Sequence, residues 1–152
     1  MPLYYFPLFI IILIGGYIFY QTNQRKWNES LLSSDENIVY EEEYVSFHSY
    51  RAQNVGREMK NLFLRATNKR IFLLLPNKKT IYVVLDFTTA KENSIKNNIG
   101  KATMYVNKNS LKIVTEDGRT WLLAEGQNFM GLSLQYGVET KNEKEIKKIL
   151  GL

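Results

Sequence analysis

Residues 62–75 read Leu-Phe-Leu-Arg-Ala-Thr-Asn-Lys-Arg-Ile-Phe-Leu-Leu-Leu, two apolar runs around the polar centre Thr67-Asn68-Lys69-Arg70. In an extended chain, Leu62, Leu64 and Ala66 share one face, and Ile71, Leu73 and Leu75 share one face of the next segment. Asn68-Lys69 suffices for a two-residue turn, and Asn tolerates the positive φ that such turns use. The stretch predicts a β-hairpin with its polar centre at the turn.

The same period-2 alternation recurs on both sides of it. Val45 and Phe47 alternate with Ser46 and His48 in a strand over 44–51. Pro76-Asn77-Lys78-Lys79 marks a turn, and Ile81, Val83, Leu85 and Phe87 face one way beyond it. Residues 88–100, rich in Lys and Asn, have no clear period and read as a long loop. Further strands are predicted over 101–107, 110–115 and 119–124, with Asp117-Gly118 as a strong hairpin turn. Met130, Leu132, Leu134 and Tyr136 suggest an eighth. Asn142 with Glu145 three residues on forms a capping box, and Ile146, Ile149 and Leu150 give the helix that follows an apolar stripe. A helix of this kind needs a sheet edge or barrel mouth to cover.

The order of elements, and above all Leu62-Phe63-Leu64-Arg65-Ala66-Thr67-Asn68-Lys69-Arg70-Ile71-Phe72-Leu73, resembles the pleckstrin-homology-like fold in its GRAM and bacterial PH-like versions. The resemblance covers roughly residues 38–152. It implies a mainly-β domain of seven or eight antiparallel strands in a partly open barrel with one C-terminal helix. It also implies a binding or scaffolding module. Lipid-binding relatives carry a K/R-x-R pattern between their first two strands; here that region holds Arg51, Arg57, Lys60 and Arg65 without that spacing, so no ligand residue is carried over.

Ahead of this domain, Leu3–Tyr20 is uncharged and would span about 27 Å as a helix, close to a bilayer core. Aromatics at both ends, Tyr4, Tyr5, Tyr17, Tyr20 and Trp27, together with Arg25 and Lys26, fit membrane-interface anchors. A cleaved signal peptide fits less well, because no basic residue precedes the run and no small-residue cleavage site follows it. The resulting expectation is a transmembrane anchor over 1–22, a juxtamembrane linker over 23–37 and a PH-like domain over 38–152. The basic pair after the anchor would place that domain in the cytoplasm of a single-pass cell-membrane protein.

Net charge is +5, unevenly spread: residues 25–59 carry −3, 60–101 carry +7 and 102–152 carry +1. The basic segment supplies candidate contacts to an anionic surface at Lys60, Arg65, Lys69, Arg70, Lys78, Lys79, Lys91, Lys96 and Lys101. The partners so implied are the bilayer through residues 3–20 and either anionic lipid headgroups or an acidic protein. Nucleic acid is disfavoured, and oligomeric state is left open.

There is no cysteine, one histidine and no phosphate-loop glycine spacing. His48 on a strand reads as a surface or partly buried residue, Glu41-Glu42-Glu43 as a solvated strand start, and Asp86 as an edge or turn cap. No catalytic residue, metal ligand or cofactor is expected. The functional expectation is a membrane-tethered, non-catalytic interaction module binding a protein or an anionic surface. The alternative is an extracytoplasmic domain for envelope assembly or secretion.

Overall fold

The computed structural model describes residues 5–50, 58–88, 102–128 and 131–151, the side chains of Tyr5, 21–24 and Tyr50 excepted. Its elements are α1 (Tyr5–Gln24), β1 (Ile38–Tyr50), β2 (Glu58–Thr67), β3 (Arg70–Leu74), β4 (Ile81–Asp86), β5 (Thr103–Val106), β6 (Lys112–Glu116), β7 (Arg119–Gln127), β8 (Ser133–Thr140) and α2 (Glu143–Leu150).

The strands run β5-β4-β3-β2-β1-β8-β7-β6 in one sheet, and a further pairing joins β5, at one end, to β7, next to the other. Seven strands thus close into a barrel. β6 pairs along the first half of β7, while β5 takes the end of the same edge at Gly126 and Gln127. This corrects the expected partly open, wholly antiparallel barrel: it is closed, and β4 meets β5 in parallel, Val84 opposite Thr103. Closure removes exposed edges that an open sheet leaves to solvent. At the seam, a Cβ on Gly126 would stand 2.7 Å from the Tyr105 carbonyl oxygen and 3.1 Å from the Tyr136 ring. Only a glycine lets the two backbones approach this closely.

β1 bends to serve two neighbours. Tyr44 and Asn61 both take positive φ, 59° and 58°, where the β1–β2 register slips between Glu42 and Val45. Beyond the bend, Phe47–Tyr50 pairs with β8, and Phe47 and His48 pair with β2 as well. Inside the barrel lie Leu62, Leu64, Ile71, Leu73, Leu85, Leu122 and Tyr136, each at most 1% exposed. α2 adds Ile146 and Leu150 to this core. Asn142 caps it as expected, its Oδ1 accepting from Glu145 N, but the expected box is not completed, since Asn142 N donates to Thr140 Oγ1 (3.1 Å); Gly151 (φ 68°) closes the last turn. Glu42, the middle residue of the acidic run, is buried. It accepts from Tyr40 Oη and Thr140 Oγ1 (both 2.9 Å) and from Lys141 N (2.6 Å), tying β1 to the start of α2. Burial, then the hydrogen bond to Glu42, pushes the Tyr40 hydroxyl pKa well up.

β3 is buried along its whole length, so the β2-β3-β4 sheet is apolar on both faces. Its outer face, with Phe63, Phe72, Leu74, Ile81 and Val84, is covered by Trp27, Leu31 and Leu32. The segment 25–37 is therefore packed on the barrel. Trp27 N donates to Lys79 O (2.6 Å) and Ile81 N to Arg25 O (2.8 Å), and Trp27 meets Phe72 edge-on at 4.8 Å.

The hairpin turn is what holds this segment. Asn68 does not adopt positive φ; its side chain accepts from Asn37 N (3.1 Å) and donates to Asp35 O (3.0 Å). Thr67 Oγ1 accepts from Arg70 N (2.9 Å) and donates to Glu36 Oε1 (2.7 Å). Lys69 Nζ reaches Asp35 at 2.6 Å. Arg70 donates through Nε to Glu36 Oε1 (2.9 Å), through Nη2 to Glu36 Oε2, and to Leu31 O (3.1 Å). Glu36 and Arg70 are 4% and 5% exposed, which makes this an interior ion pair joined by two hydrogen bonds, with Thr67 Oγ1 and Leu31 O as further partners. Burial alone would raise the Glu36 carboxyl pKa. The hydrogen bonds from Arg70, Thr67 and Ser33 outweigh it and hold the group below its ordinary 4.5.

The expected transmembrane anchor is corrected. Among the described residues no helix is long and apolar enough to cross a membrane. The apolar stretch of α1 is Tyr5–Tyr20, about 24 Å at 1.5 Å per residue, against about 30 Å of hydrocarbon. The last turn of α1, Gln21-Thr22-Asn23-Gln24, is polar. The expectations of a single-pass cell-membrane protein and of a cytoplasmic domain placed by that anchor fall with it.

Two outcomes follow. Glu36→Gln leaves Arg70 buried beside a neutral group and should cost about 3 kcal/mol in urea denaturation at neutral pH. A depressed carboxylate stabilises the fold above its unfolded pKa and loses that contribution as pH falls through the folded value. The gap between wild type and variant should therefore close as pH drops below 4.5. Gly126→Ala, by prying β5 from β7, should cost about 1–3 kcal/mol and lower the thermal midpoint accordingly.

Candidate binding groove

β7 is apolar on both sides. Leu122 and Ala124 point into the barrel, whereas Trp121 and Leu123 point outward. Register places Val114, Trp121 and Glu139 in one row across β6, β7 and β8. The next row is Lys112, Leu123, Gly137 and His48, and Glu125 faces Gln135 beyond it. Together with Asn109, Ser110 and Glu116 these residues, Glu139 excepted, line an open groove of about 550 Å³ on the outer face of the barrel. That volume lies within the range of small-ligand and side-chain pockets.

Gly137 forms the floor. A Cβ there would come within 2.9 Å of Leu123 Cδ2 and 3.4 Å of Trp121 Cε3, so the missing side chain is what lets these two lie across the sheet. Trp121 is gripped from two sides. The His48 ring meets it edge-on at 4.7 Å, and the Arg119 guanidinium stacks over it at 4.6 Å. Arg119 is fixed in turn by Glu139 (Nε–Oε1 3.1 Å, Nη2–Oε2 2.7 Å) and Glu58 (2.9 Å), and His48 Nε2 lies 3.4 Å from the same Glu58 oxygen. The hydrogen bonds from Arg119 hold the Glu58 and Glu139 carboxyls below their ordinary value, and those carboxylates raise the Arg119 pKa. The result is an aromatic platform held rigid by a charge network. Carboxylates committed to a guanidinium are poor proton shuttles near neutral pH. Among the described residues there is no group of His, Asp and Glu that could hold a metal ion.

The basic residues singled out in the sequence lie elsewhere, and most face carboxylates of the chain itself. Arg65 pairs with Glu41 (2.5 Å) and stacks over Trp27; Lys69 pairs with Asp35, Arg70 with Glu36, Lys78 with Glu43, and Lys60 with Glu58 (3.8 Å). Lys79 is exposed on the turn before β4, where its N–H donates to Asn77 Oδ1. Lys91, Lys96 and Lys101 lie outside the described residues, as do Arg51 and Arg57. Of the expected interface anchors, Tyr17 and Tyr20 are exposed on α1, whereas Arg25, Lys26 and Trp27 line the edge of β4. Tyr4 and the Tyr5 side chain lie outside the described residues. Asp86 is buried and accepts from Thr88 N at 2.8 Å, closing the end of β4.

His48 was visible in the sequence as an outward strand residue. Trp121, Leu123, Gln135 and Lys112 were not singled out. The available signal was Thr120-Trp121-Leu122-Leu123-Ala124, apolar on both faces where one face of an antiparallel strand is ordinarily polar.

Compared with family models, curated proteins and solved structures, the chain shows no significant match.

In Arg119→Gln the Glu58 and Glu139 carboxyls should titrate higher than in the wild type, where both lie below 4.5. Carboxyl-carbon NMR titration reads this directly, and unchanged midpoints would contradict the network described.

Proposed function

We propose that this chain is a non-catalytic binding module that holds an extended segment of a partner protein in the groove over β6, β7 and β8. The observation that carries the reading is Trp121, an aromatic held in place by Arg119 and His48 beside the open floor at Gly137. A large, immobilised aromatic loses little conformational freedom on contact and is a common anchor of protein interfaces. Leu123 and Val114 supply apolar contacts next to it, and Lys112, Glu116, Glu125 and Gln135 form a polar rim, the usual layout of such a site. The groove lacks the uniform positive lining that an anionic surface would favour, and Lys60, Arg65, Lys69, Arg70 and Lys78 have carboxylate partners within the chain.

The PH-like resemblance supports the same class of function. The Thr67–Arg70 turn joins β2 to β3, and α2 packs Ile146 and Leu150 against the barrel core.

The test is selection of peptides from a random phage-displayed library on the immobilised chain. Selected peptides should bind wild type at least tenfold more tightly than Trp121→Ala. They should also weaken on Gln135→Arg, which crowds the exposed rim without touching the core, and be indifferent to Lys79→Ala. Failure to select any sequence, or equal binding to wild type and both groove variants, would overturn the reading.

A further inference from the structure

β6 is the end of the sheet order. It pairs with β7 alone, so among the described residues its other edge has no strand partner. Such an edge presents backbone donors and acceptors ready to pair with another strand. The β6–β7 turn does not fold back over it: Asp117 and Gly118 take φ of 53° and 74°, the tight two-residue geometry that leads straight from one strand to the next.

The sequence of β6 is Lys112-Ile113-Val114-Thr115-Glu116, basic at one end, acidic at the other and apolar at the middle. Lys112, Val114 and Glu116 all line the groove face. In a strand, alternate residues share a face, so these three form one row. Among the described residues no ion pair engages either Lys112 or Glu116. An antiparallel copy of this strand, centred on Val114, is complementary to it. Lys112 then stands opposite Glu116 of the second copy, Glu116 opposite Lys112, and Val114 opposite Val114. Parallel pairing in register would instead set Lys against Lys and Glu against Glu, a destabilising arrangement. Sliding the antiparallel register by a residue pair separates both charge pairs. A two-fold axis through Val114 is therefore the arrangement that satisfies the row, and it closes on itself as a dimer rather than propagating.

We propose that the chain forms a two-fold dimer through antiparallel pairing of β6 with β6 of a second copy. The pairing would continue the β8-β7-β6 sheet across the dyad and run the two grooves into one concave face, with a Trp121 on each side of the axis. The proposal is independent of what the groove binds.

The chain has no cysteine, so Val114→Cys supplies a single reporter at the proposed axis. Directly opposed antiparallel residues have Cα atoms about 4.5–5.5 Å apart, within disulfide reach. The full-length chain carrying Val114→Cys is oxidised with copper phenanthroline, and the disulfide-linked dimer is measured on non-reducing gels. Strong cross-linking is expected. Adding Lys112→Glu or Glu116→Lys alone places like charges opposite each other and should cut the yield at least tenfold. The double exchange Lys112→Glu with Glu116→Lys restores opposite signs and should restore the yield. A mixture of the two single-exchange chains should also cross-link, because each then faces its complement. Circular dichroism on every variant checks that the barrel is intact. No cross-link in Val114→Cys, or the same yield in all the charge variants, would overturn the proposal.

Discussion

Arg70 and Glu36 meet in the interior of the fold, and the arrangement of its N-terminal half follows from that pair. The β2-β3-β4 sheet is apolar on both faces. The barrel interior covers one face; the other needs a second layer, since leaving Phe63, Phe72 and Leu74 in water would forfeit about 25 cal/mol for each Å² of apolar surface left uncovered. Residues 25–37 provide that layer, and Thr67, Asn68, Lys69 and Arg70 each hold part of it. The pairing also accounts for the charge distribution along the chain. The acidic excess of 25–59 and the basic excess of 60–101 meet as Asp35–Lys69, Glu36–Arg70, Glu41–Arg65, Glu43–Lys78 and Glu58–Lys60. What looks in the sequence like a field directed at an external anion is in good part an internal complement.

The opposite side of the barrel is organised differently. There the outer face of β6-β7-β8 has no covering segment among the described residues, yet β7 still places Trp121 and Leu123 outward. The charge network of Arg119, Glu58, Glu139 and His48 fixes the platform without covering it. One barrel thus carries two outer apolar faces. The first is covered by the chain's own residues 25–37; the second is an open groove beside a strand edge.

Some of this was legible in the residues alone. The hairpin at 68–69, the turn at Asp117-Gly118 and the Asn142 cap are local features set by short-range chemistry, and each lies where the residues put it. Features that depend on distant partners were not legible. The role of Asn68 was misread because positive φ and side-chain hydrogen bonding to a remote backbone both favour Asn. Glu42 looked solvated because nothing nearby in sequence shows Thr140 and Lys141 waiting for it. Barrel closure depends on a backbone approach at Gly126, and one glycine in a strand has several possible causes. The absence of charge over the N-terminal run marks it as apolar but overstates its span, because the last turn of the helix, Gln21–Gln24, is uncharged yet polar. The groove is not legible because strand alternation marks the core face alone, and an apolar outer face on β7 looks the same in sequence whether it is covered or open.

Native-state amide hydrogen exchange tests whether residues 25–37 are a structural layer of the barrel. The amides of Trp27, Asn37 and Ile81 each hydrogen-bond across the junction, to Lys79 O, Asn68 Oδ1 and Arg25 O. If the layer and the sheet form one cooperative unit, these amides should be protected together with those of β3 and should lose protection together in Glu36→Gln. Exchange of Trp27 and Asn37 at the rate of an unstructured peptide, with β3 still protected, would contradict the account.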